Sequence, residues 1–404
     1  MDKSFLLLFF KKEDLPYATI GANLSPVKIV HVVRQFTPSV GGLEDCVVNL
    51  CHAQQTHLGL SPSVVTLDRL FTRPDELLPA QEIVDGIPTV RIPWRGSKRY
   101  PIAPSVLQFL GDADLVHVHA IDFFFDFLAL TRPVHRKRLI ASTHGGFFHT
   151  KFASNLKKIY FNSVTRLSAR AYDRIVACSQ HDAEMFERVA AKNLVTIENG
   201  ANLAKFGDAA AKDHRRVMIS FGRMAHHKRL DGLLPLLREL RRSGEDWKLI
   251  IAGAAGEVTP ASLRDAAAAL GVAEAFELVV GPTEAELRTL IGKASYFISP
   301  SEYEGFGIAA VEALSAGLIP LLSGIPPFVR LLSRATDGLV IDVDTPAIAA
   351  RAISQHALGL TAHWPAARDR VRAVAEDYDW RIVAARYNEL YQGRHLLEPA
   401  AVPA

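Results

Sequence analysis

Short apolar runs of strand length alternate with longer helical patterns along almost the whole chain, in two separate series. The first series comprises Val27–Val33, Ser63–Leu67, Thr89–Ile92, Leu115–His119, Leu139–Thr143, Arg174–Cys178 and Val195–Ile197. The second comprises Arg216–Phe221, Trp247–Ala252, Phe276–Val280, Tyr296–Ser299, Leu318–Leu322 and Leu339–Ile341. Near-continuous apolar strands joined by helices are typical of parallel sheets that are covered on both faces. The pattern therefore predicts an α/β protein with two doubly wound, Rossmann-like domains.

A length of 404 residues suits two domains, since single cores rarely grow that large. We predict an N-terminal extension over 1–26, a first domain over 27–200 and a second domain over 201–377. The last helix, within 378–395, follows the second series and is expected to pack back on the first domain. The linker is expected at Asn199–Lys212, which is polar and small. In open α/β sheets ligands bind beyond the carboxyl ends of the strands, so the predicted site is a cleft between the two domains.

Charge is unevenly distributed along the chain. The net charge of +3 is modest for this length, and no nucleic-acid partner is expected. The segment Arg91–Arg174, however, carries 14 Lys and Arg against 5 Asp and Glu. Such a basic stretch favours phosphate groups or an anionic membrane surface. The 3 cysteines have no metal-like spacing and indicate a reducing, cytoplasmic location, with Cys46 and Cys51 as packing residues.

Two segments raise the question of membrane contact. The apolar run Phe5–Phe10 is too short to span a bilayer. The segment Phe152–Leu167 has an apolar stripe at helical spacing with lysines beside it, as an interfacial helix would. A core helix with a basic rim is the preferred interpretation of this segment, and the interfacial helix is the alternative.

The segment Ser299–Ala313 carries two carboxylates, Glu304 and Glu312, around a glycine-rich turn. The residues between them that we expect to contact a ligand are Gly305, Phe306, Gly307 and Ile308. If a helix begins near Gly307, its free amides and its dipole form an anion site suited to a diphosphate. The two carboxylates can accept hydrogen bonds from sugar and ribose hydroxyls. The alternative is an ordinary helix cap beside an unrelated surface glutamate.

A second basic motif, Gly222–Asp231, follows the first strand of the second series. Arg223 and Lys228 are five residues apart across a loop, so both can approach one diphosphate. A guanidinium fork and an ammonium charge suit a leaving group that becomes more negative. The alternative, for this motif read alone, is a pair of solvated surface charges, and the diphosphate site is the preferred interpretation.

Glycines and histidines mark the strand ends of the first series. Gly41 and Gly42 follow the first strand and allow close approach of backbone to a ligand, although a plain tight turn fits as well. The spacing lacks the full dinucleotide fingerprint, which counts against an NAD enzyme. His144 ends a strand where it would face the cleft, with a structural histidine as the alternative.

Three further histidines are candidates for the acceptor side of the cleft: His117, His119 and His149. His117 and His119 alternate onto one face of their strand. Because no carboxylate or cysteine has matching spacing, we favour hydrogen-bonded cleft residues over metal ligands.

Together, Ser299–Ala313, Gly222-Arg223 with Lys228, Gly41-Gly42 and Asn199-Gly200 resemble the family 4 retaining glycosyltransferases of GT-B architecture. The resemblance covers roughly Val27 to Tyr391. Within that family, Val33–Glu44 and Thr143–His149 are similar to bacterial exopolysaccharide mannosyltransferases. Those enzymes transfer α-mannose from GDP-mannose to a diphosphopolyprenol-linked oligosaccharide, at the inner face of the cell membrane.

The resemblance implies a role for each motif. Glu304 would contact the donor sugar, Glu312 the ribose, and Arg223 with Lys228 the diphosphate. His144 would lie beside the anomeric centre, and Gly41-Gly42 under the phosphates. No cofactor or metal is expected, since the two cations can stabilise the leaving group. A UDP-sugar-dependent transferase, a nucleotide-sugar epimerase and a non-catalytic sugar-binding protein remain as alternatives.

Three positions depart from the family pattern. Asn202 stands where an aspartate often follows Asn-Gly, and Arg229 replaces the usual glycine after Lys228. Pro327 stands where a glutamate is common.

Overall fold

The chain folds around two separate sheets of mostly parallel strands. The computed structural model describes residues 26–145 and 158–393. The first sheet has eight strands in the order β10-β9-β8-β7-β1-β2-β4-β3, of which only β3 is antiparallel to its neighbour. Its strands are β1 (Lys28–Val32), β2 (Ser61–Leu67), β3 (Gln81–Val84), β4 (Ile87–Ile92), β7 (Leu115–His119), β8 (Arg138–Ser142), β9 (Arg174–Ala177) and β10 (Leu194–Thr196). A small hairpin, β5 (Arg95–Ser97) with β6 (Tyr100–Ile102), lies outside this sheet.

The second sheet has six parallel strands in the order β13-β12-β11-β14-β15-β16. Its strands are β11 (Val217–Phe221), β12 (Lys248–Gly253), β13 (Phe276–Val280), β14 (Tyr296–Ser299), β15 (Ile319–Ser323) and β16 (Leu339–Ile341). This is the doubly wound order that places a crevice where the chain reverses direction across the sheet, between β11 and β14. In the first sheet the corresponding reversal lies between β1 and β7.

Helices connect the strands and cover both sheets. In the first half they are α1 (Gly42–Leu58), α2 (Phe123–Leu130), α3 (Arg132–His135), α4 (Arg166–Ala169) and α5 (Gln180–Ala190). The short helix α6 (Leu203–Phe206) packs on the core of the second half. In the second half they are α7 (Leu233–Arg242), α8 (Pro260–Ala269), α9 (Glu284–Ile291), α10 (Ile308–Ala316), α11 (Pro326–Arg334), α12 (Pro346–Thr361), α13 (Trp364–Glu376) and α14 (Trp380–Tyr391). Among the described residues, no helix combines the length and the apolar character that a bilayer span needs.

The chain crosses between the two halves at two adjacent points. The amide of Ala201 donates to the carbonyl of Tyr378 at 2.8 Å, and Ala201 forms an isolated bridge with Asp379. Immediately after this crossing, α14 returns to the first half and packs on α1. The ring of Trp380 lies so close to Gly200 that a Cβ atom there would be 2.5 Å from it. Gly200 is therefore required by a close approach of two chain segments.

Some expectations need correction. The segment Asn199–Lys212 is not a plain polar linker, because it contains α6 and buries Phe206 against the second sheet. Strand β3 and the β5–β6 hairpin are short and partly exposed, and the apolar pattern does not reveal them.

The prediction that the apolar stripe of Phe152–Leu167 faces the core is also wrong for the part of the segment that the structure describes. Ile159, Val164 and Leu167 are exposed, whereas Phe161 is buried. A π-helical turn at Phe161–Thr165 shifts the buried face away from the predicted stripe. The first part of that segment, His149 and the extension except Pro26 lie outside the described residues. The proposed boundaries at residues 200 and 377 stay predictions.

Candidate active site

A cavity of about 450 Å³ lies between the carboxyl ends of the two sheets. Both halves of the chain contribute to its wall. Lining residues include Gly42, His144 and Asp182 from the first half and Lys228, Glu304 and Gly307 from the second. The structure thus brings together most of the residues that the sequence singled out, in a cleft of the size that small-molecule sites have.

Lys228 and Glu304 meet at the side of the cavity that the second half provides. The Lys228 ammonium contacts the Glu304 carboxylate directly. Ser301, which is fully buried, donates its hydroxyl to the same carboxylate oxygen at 2.8 Å. The loops after β11 and β14 are also joined by a hydrogen bond from the Glu302 amide to the His227 carbonyl at 2.8 Å. A cation and a carboxylate are therefore held side by side at the reversal point of the second sheet, where a diphosphate and its sugar could bind together.

Arg223 lies at the edge of this arrangement. It borders a small pocket together with Lys228, Glu304 and Gly307. Its guanidinium is largely exposed and lies 3.8 Å from Glu257. An exposed pair at that distance contributes little, so Arg223 can turn toward an anion at small cost.

Glu312 lies within α10, on the side of the second half that is near α1 of the first half. Its carboxylate is 3.5 Å from the Lys205 ammonium. Burial raises the pKa of Glu312, and Lys205 offsets part of that shift while Asp45 of α1 adds to it. Glu312 is thus a mostly buried carboxylate that is paired with Lys205 and does not line the cavity described above, and its role toward the ribose stays a prediction.

The glycine-rich turn between the two glutamates has the form that an anion site requires. Gly307 caps α10 with a φ of 89°, and a Cβ there would lie 2.8 Å from Phe328. Only glycine satisfies both conditions. The helix begins at Ile308, so its free amides face the cavity that Gly305, Phe306, Gly307 and Ile308 line.

On the opposite wall, α1 begins at Gly42 directly after Gly41. Gly42 lines the cavity, and the space beside it is open. Gly41 has extended backbone with a φ of −179°, so strain does not require glycine there. The pair instead leaves the N-terminus of α1 uncovered on the cavity side, as close approach to a ligand needs.

His144 occupies a strained turn that Asp182 stabilises through hydrogen bonds. Its φ is 52°, in the left-handed region that non-glycine residues rarely adopt. The Asp182 carboxylate accepts from the Thr143 hydroxyl at 2.6 Å and from the Gly145 amide at 2.9 Å. Asp182 thereby fixes the residues on both sides of His144. Burial lowers the pKa of the His144 ring to about 3, so the ring is neutral near pH 7.

His117 and His119 are correctly predicted to be hydrogen-bonded, but the prediction that they face the cleft is wrong. Both are fully buried, because their strand is covered on both faces. His117 contacts Tyr391 at 2.9 Å and Ser142 at 2.8 Å. Neither histidine can touch an acceptor directly without opening the core.

The sequence-based set lacks Ser179 and Asp182, which line the cavity, and the buried residues His31 and Gln54, which lie in the core of the first half. Ser179 caps α5 and lines the cavity beside Asp182. A Ser followed three residues later by Asp at a helix start is a readable cap signal, although it does not reveal that the carboxylate reaches the His144 turn. His31 lies inside the apolar run of β1, where a polar residue was an available signal, whereas Gln54 lies among polar neighbours in α1 and gave no such signal.

Comparisons with known proteins identify the family. Residues 40–205 match the family described as Glycosyltransferase Family 4, and residues 204–357 match the one described as Glycosyl transferases group 1. The chain belongs to glycosyltransferase family 4. It is 50% identical over 375 residues to the GDP-mannose:cellobiosyl-diphosphopolyprenol alpha-mannosyltransferase of Komagataeibacter xylinus, covering 92% of this chain and 95% of that protein. It is 45% identical over 366 residues to the protein of the same description from Xanthomonas campestris, covering 90% and 96% respectively.

The fold of this glycosyltransferase agrees with those relationships. A crystal structure of a glycosyltransferase from Rickettsia africae ESF-5 is similar with a TM-score of 0.70 at 15% identity, over 92% of this chain and 99% of that one. The predicted GT-B fold is confirmed, and so is the resemblance to exopolysaccharide mannosyltransferases. The roles of individual residues in the glycosyltransferase stay predictions.

The glycosyltransferase accommodates its departures from the family pattern locally. Arg229 has a φ of 49°, which explains why glycine is usual there, and its guanidinium forms a two-point ion pair with Asp344. Pro327 occupies the first turn of α11, where proline fits without loss of a helix hydrogen bond. Asn202 directly precedes α6.

Proposed function

We propose that the protein transfers an α-mannosyl group from GDP-mannose to a diphosphopolyprenol-linked oligosaccharide, with retention of configuration. Identity of 45–50% to relatives so described, across more than 90% of their lengths, is the observation that supports this most strongly. The cavity supports it independently, because a cation, a carboxylate and a helix N-terminus meet at the reversal point of the second sheet, at Lys228, Glu304 and Gly307.

Each group in the cleft has a chemical task under this proposal. Lys228 and Arg223 hold the diphosphate and stabilise it as its negative charge grows on leaving. Because this stabilisation is greater in the transition state than in the bound donor, it acts mainly on turnover. Glu304 accepts from a hydroxyl of the mannosyl group beside Lys228, and Glu312 from the ribose.

The transfer proceeds through an oxocarbenium-like, front-face transition state. The acceptor oxygen attacks the anomeric carbon from the face that the diphosphate leaves, and the hydroxyl proton passes to the leaving phosphate oxygen. The protein contributes positioning of the two substrates and charge stabilisation. The proposal includes no metal ion, since the two cations balance the diphosphate.

The decisive experiment combines donor choice with one matched pair of variants. We expect transfer to a cellobiosyl-diphosphopolyprenol acceptor with GDP-mannose and little with UDP-sugars, and activity that survives EDTA. In Lys228→Ala, kcat should fall by about 10²- to 10³-fold with a much smaller change in KM. Lys212→Ala, which removes an exposed lysine paired with Asp208, is the control and should behave as wild type.

Other outcomes assign the alternatives. Faster transfer from a UDP-sugar than from GDP-mannose would identify the protein as a UDP-sugar-dependent transferase. Conversion of the nucleotide sugar without an acceptor would indicate an epimerase. Ligand binding without turnover would indicate a non-catalytic protein. A raised KM at unchanged kcat in Lys228→Ala would remove the transition-state role of Lys228.

We also propose that the acceptor is reached at an anionic membrane surface. An apolar group on the first half is exposed next to basic side chains. Its members are Leu130, Val134, Ile159, Val164 and Leu167, with the exposed cations Arg136, Lys158, Arg166 and Arg170. Apolar side chains beside cations suit the boundary of an anionic bilayer. Binding to phosphatidylglycerol vesicles should weaken with salt in wild type and weaken further in Leu167→Ser; salt-independent binding would contradict the electrostatic part.

A further inference from the structure

A chain of hydrogen bonds runs through the core beneath His144. His119 contacts His144 at 2.8 Å through Nδ1 and Nε2 respectively, and His31 contacts His119 at 2.9 Å through Nδ1 and Nε2. His31 Nε2 in turn meets the Gln54 carbonyl oxygen at 2.9 Å. We call His31, His119 and His144 the histidine chain. It joins a buried amide of α1 to the turn that faces the cavity.

The anchor of the histidine chain determines where each proton lies. The Gln54 amide nitrogen donates to the Tyr391 hydroxyl at 3.0 Å, so its carbonyl oxygen faces His31. A carbonyl oxygen only accepts, and therefore His31 carries its proton on Nε2. Burial lowers the pKa of His31 to about 4, and a neutral ring holds only one such proton.

The proton position of His31 then determines the proton positions of His119 and His144. Since His31 Nδ1 has no proton, it accepts from His119 Nε2. His119 Nδ1 is then an acceptor for His144 Nε2. His144 consequently carries its proton on Nε2, pointing inward, and its Nδ1 lone pair lies 3.7 Å from the Cys178 sulfur.

A second branch from Gln54 accounts for the remaining histidine. The Tyr391 hydroxyl oxygen accepts a hydrogen bond from the Gln54 amide and is 2.9 Å from His117 Nδ1. His117 Nε2 lies 2.8 Å from the Ser142 hydroxyl, which contacts Tyr387 at 3.0 Å. The nitrogens of His31, His117 and His119 lie within 4.8 Å of one another, a spacing that could hold a metal ion. Here each of their ring nitrogens has a protein partner, so hydrogen bonding explains the cluster.

The neutrality of His144 matters if a sugar reacts beside it. The mannosyl carbon gains positive charge in the proposed transition state, and a nearby imidazolium would raise its energy. A neutral ring with its N–H turned away from the cavity avoids that repulsion. The strained backbone of His144 also needs its ring to be fixed from within, as sparsely populated backbone conformations persist only when surrounding contacts hold them.

We propose that Gln54, His31 and His119 are positioning residues that hold His144 neutral, in its Nε2–H tautomer, beside the reacting sugar. This role rests on the proposed function for its effect on turnover, but the proton order itself does not. The Gln54 amide orientation acts as the switch, because reversing it would move the His144 proton to Nδ1.

The test begins with proton positions in the unmodified full chain. Nitrogen-15 NMR of histidine-labelled protein distinguishes ring nitrogens that carry a proton from those that do not. We expect the Nε2–H tautomer at His31, His119 and His144 near pH 7. An Nδ1–H tautomer or a charged ring at His144 overturns the proposal, whether or not the protein transfers mannose. Stoichiometric metal in the purified protein, bound to these histidines, overturns it as well.

A variant then tests the consequence for turnover. Gln54→Glu replaces the amide by a carboxylate that favours a second proton on His31, which reverses the order along the histidine chain. We expect kcat with the donor that wild type uses to fall between about 10- and 100-fold, with KM for that donor nearly unchanged. The His144 signals should change tautomer at the same time.

Thr66→Val is the control for general damage to the core. Thr66 is buried in β2 outside the histidine chain, and its hydroxyl has no hydrogen-bond partner among the residues that the structure describes. It should keep both kcat and the His144 tautomer. An unchanged kcat in folded Gln54→Glu with a reversed tautomer overturns the positioning role. If Gln54→Glu does not fold, the tautomers of wild type still decide the proton order on which the proposal depends.

Discussion

Arg229 combines a strained backbone with an ion pair of its own. Its left-handed conformation costs about 1–2 kcal/mol relative to glycine, whereas an exposed pair such as Arg229–Asp344 contributes about 0–1 kcal/mol. We therefore expect Arg229→Gly to raise the free energy of unfolding by about 0–2 kcal/mol. Arg229→Val should instead lower it, since β-branched residues tolerate this conformation worst. Urea unfolding of both variants checks this, and equal midpoints for glycine and valine would show that the backbone is not strained.

Asp182 is expected to matter for turnover although it need not touch a substrate. It accepts from Thr143 and Gly145, the two residues that flank His144. Loss of both bonds in Asp182→Ala should let the turn relax and lower kcat between about 10- and 100-fold. Asp182→Asn keeps a carbonyl oxygen that can accept both bonds and serves as the matched control. If alanine and asparagine reduce kcat equally, the charge and not the hydrogen bonding is what the site uses.

Residues that act through a loop were more predictable than residues that act through the core. Glu304, Lys228 and Gly307 could be found because glycines and charges directly after apolar strands form a local pattern. Asp182 and Gln54 could not, because Asp182 accepts from residues 37 and 39 positions away and Gln54 contacts residues 23 and 337 positions away. His119 was placed on the correct strand, but one sequence does not show which strand face a returning C-terminal helix covers.

Among the elements, the crossing point between the halves depends on the fit of Gly200 against Trp380. A Cβ at Gly200 would overlap the indole, so Gly200→Ala must displace the start of α14. We expect a loss of stability of about 1–3 kcal/mol, the range of overpacked cores, together with reduced activity. Gly359→Ala is the control, because a Cβ at this position of α12 would meet no atom of residues 26–145 or 158–393 within 4 Å. There alanine should stabilise by about 0.5–1 kcal/mol.

The prediction is tested by comparing the changes in the free energy of unfolding that Gly200→Ala and Gly359→Ala cause. Chemical denaturation of both variants gives the two changes in free energy under one set of conditions. A Gly200→Ala protein as stable as wild type would mean that the segments at Ala201 and Asp379 separate easily, and that they do not form a fixed crossing.

At the level of elements, buried parallel strands were the easiest to predict. The bounds of β7, β13, β14 and β16 agree with the apolar runs, because strands covered on both faces must be apolar throughout. Edge and hairpin strands such as β3 and β5 lack that requirement and give no continuous run. The π-helical turn at Phe161–Thr165 was invisible for a similar reason, since a helical period of 3.6 residues assumes an unbroken helix.

For the whole molecule, the cavity between the two halves leads us to expect that one half moves toward the other when a ligand binds. The predicted donor contacts lie mainly on the second half, at Lys228, Glu304 and Glu312, whereas His144 and Gly42 lie on the first. A ligand that contacts both walls of the cavity favours the conformation in which the walls are closer together. The size of this shift equals the difference in the ligand's binding free energy between the open and the closed conformation. We therefore expect GDP-mannose to reduce the radius of gyration measured by small-angle scattering. The crossing at Ala201 and Asp379 is the expected hinge.

Two controls separate closure from simple binding. Lys228→Ala removes a predicted diphosphate contact and should require more nucleotide sugar for the same compaction. GDP alone fills the contacts of the second half but offers no sugar to His144, so it should compact the molecule less than GDP-mannose does. Identical scattering curves with and without GDP-mannose, at a concentration that raises the Tm, would show that the cleft is already in its working conformation. In that case the contact of Glu312 with Lys205 belongs to the active state, and the ribose must displace Lys205 to bind.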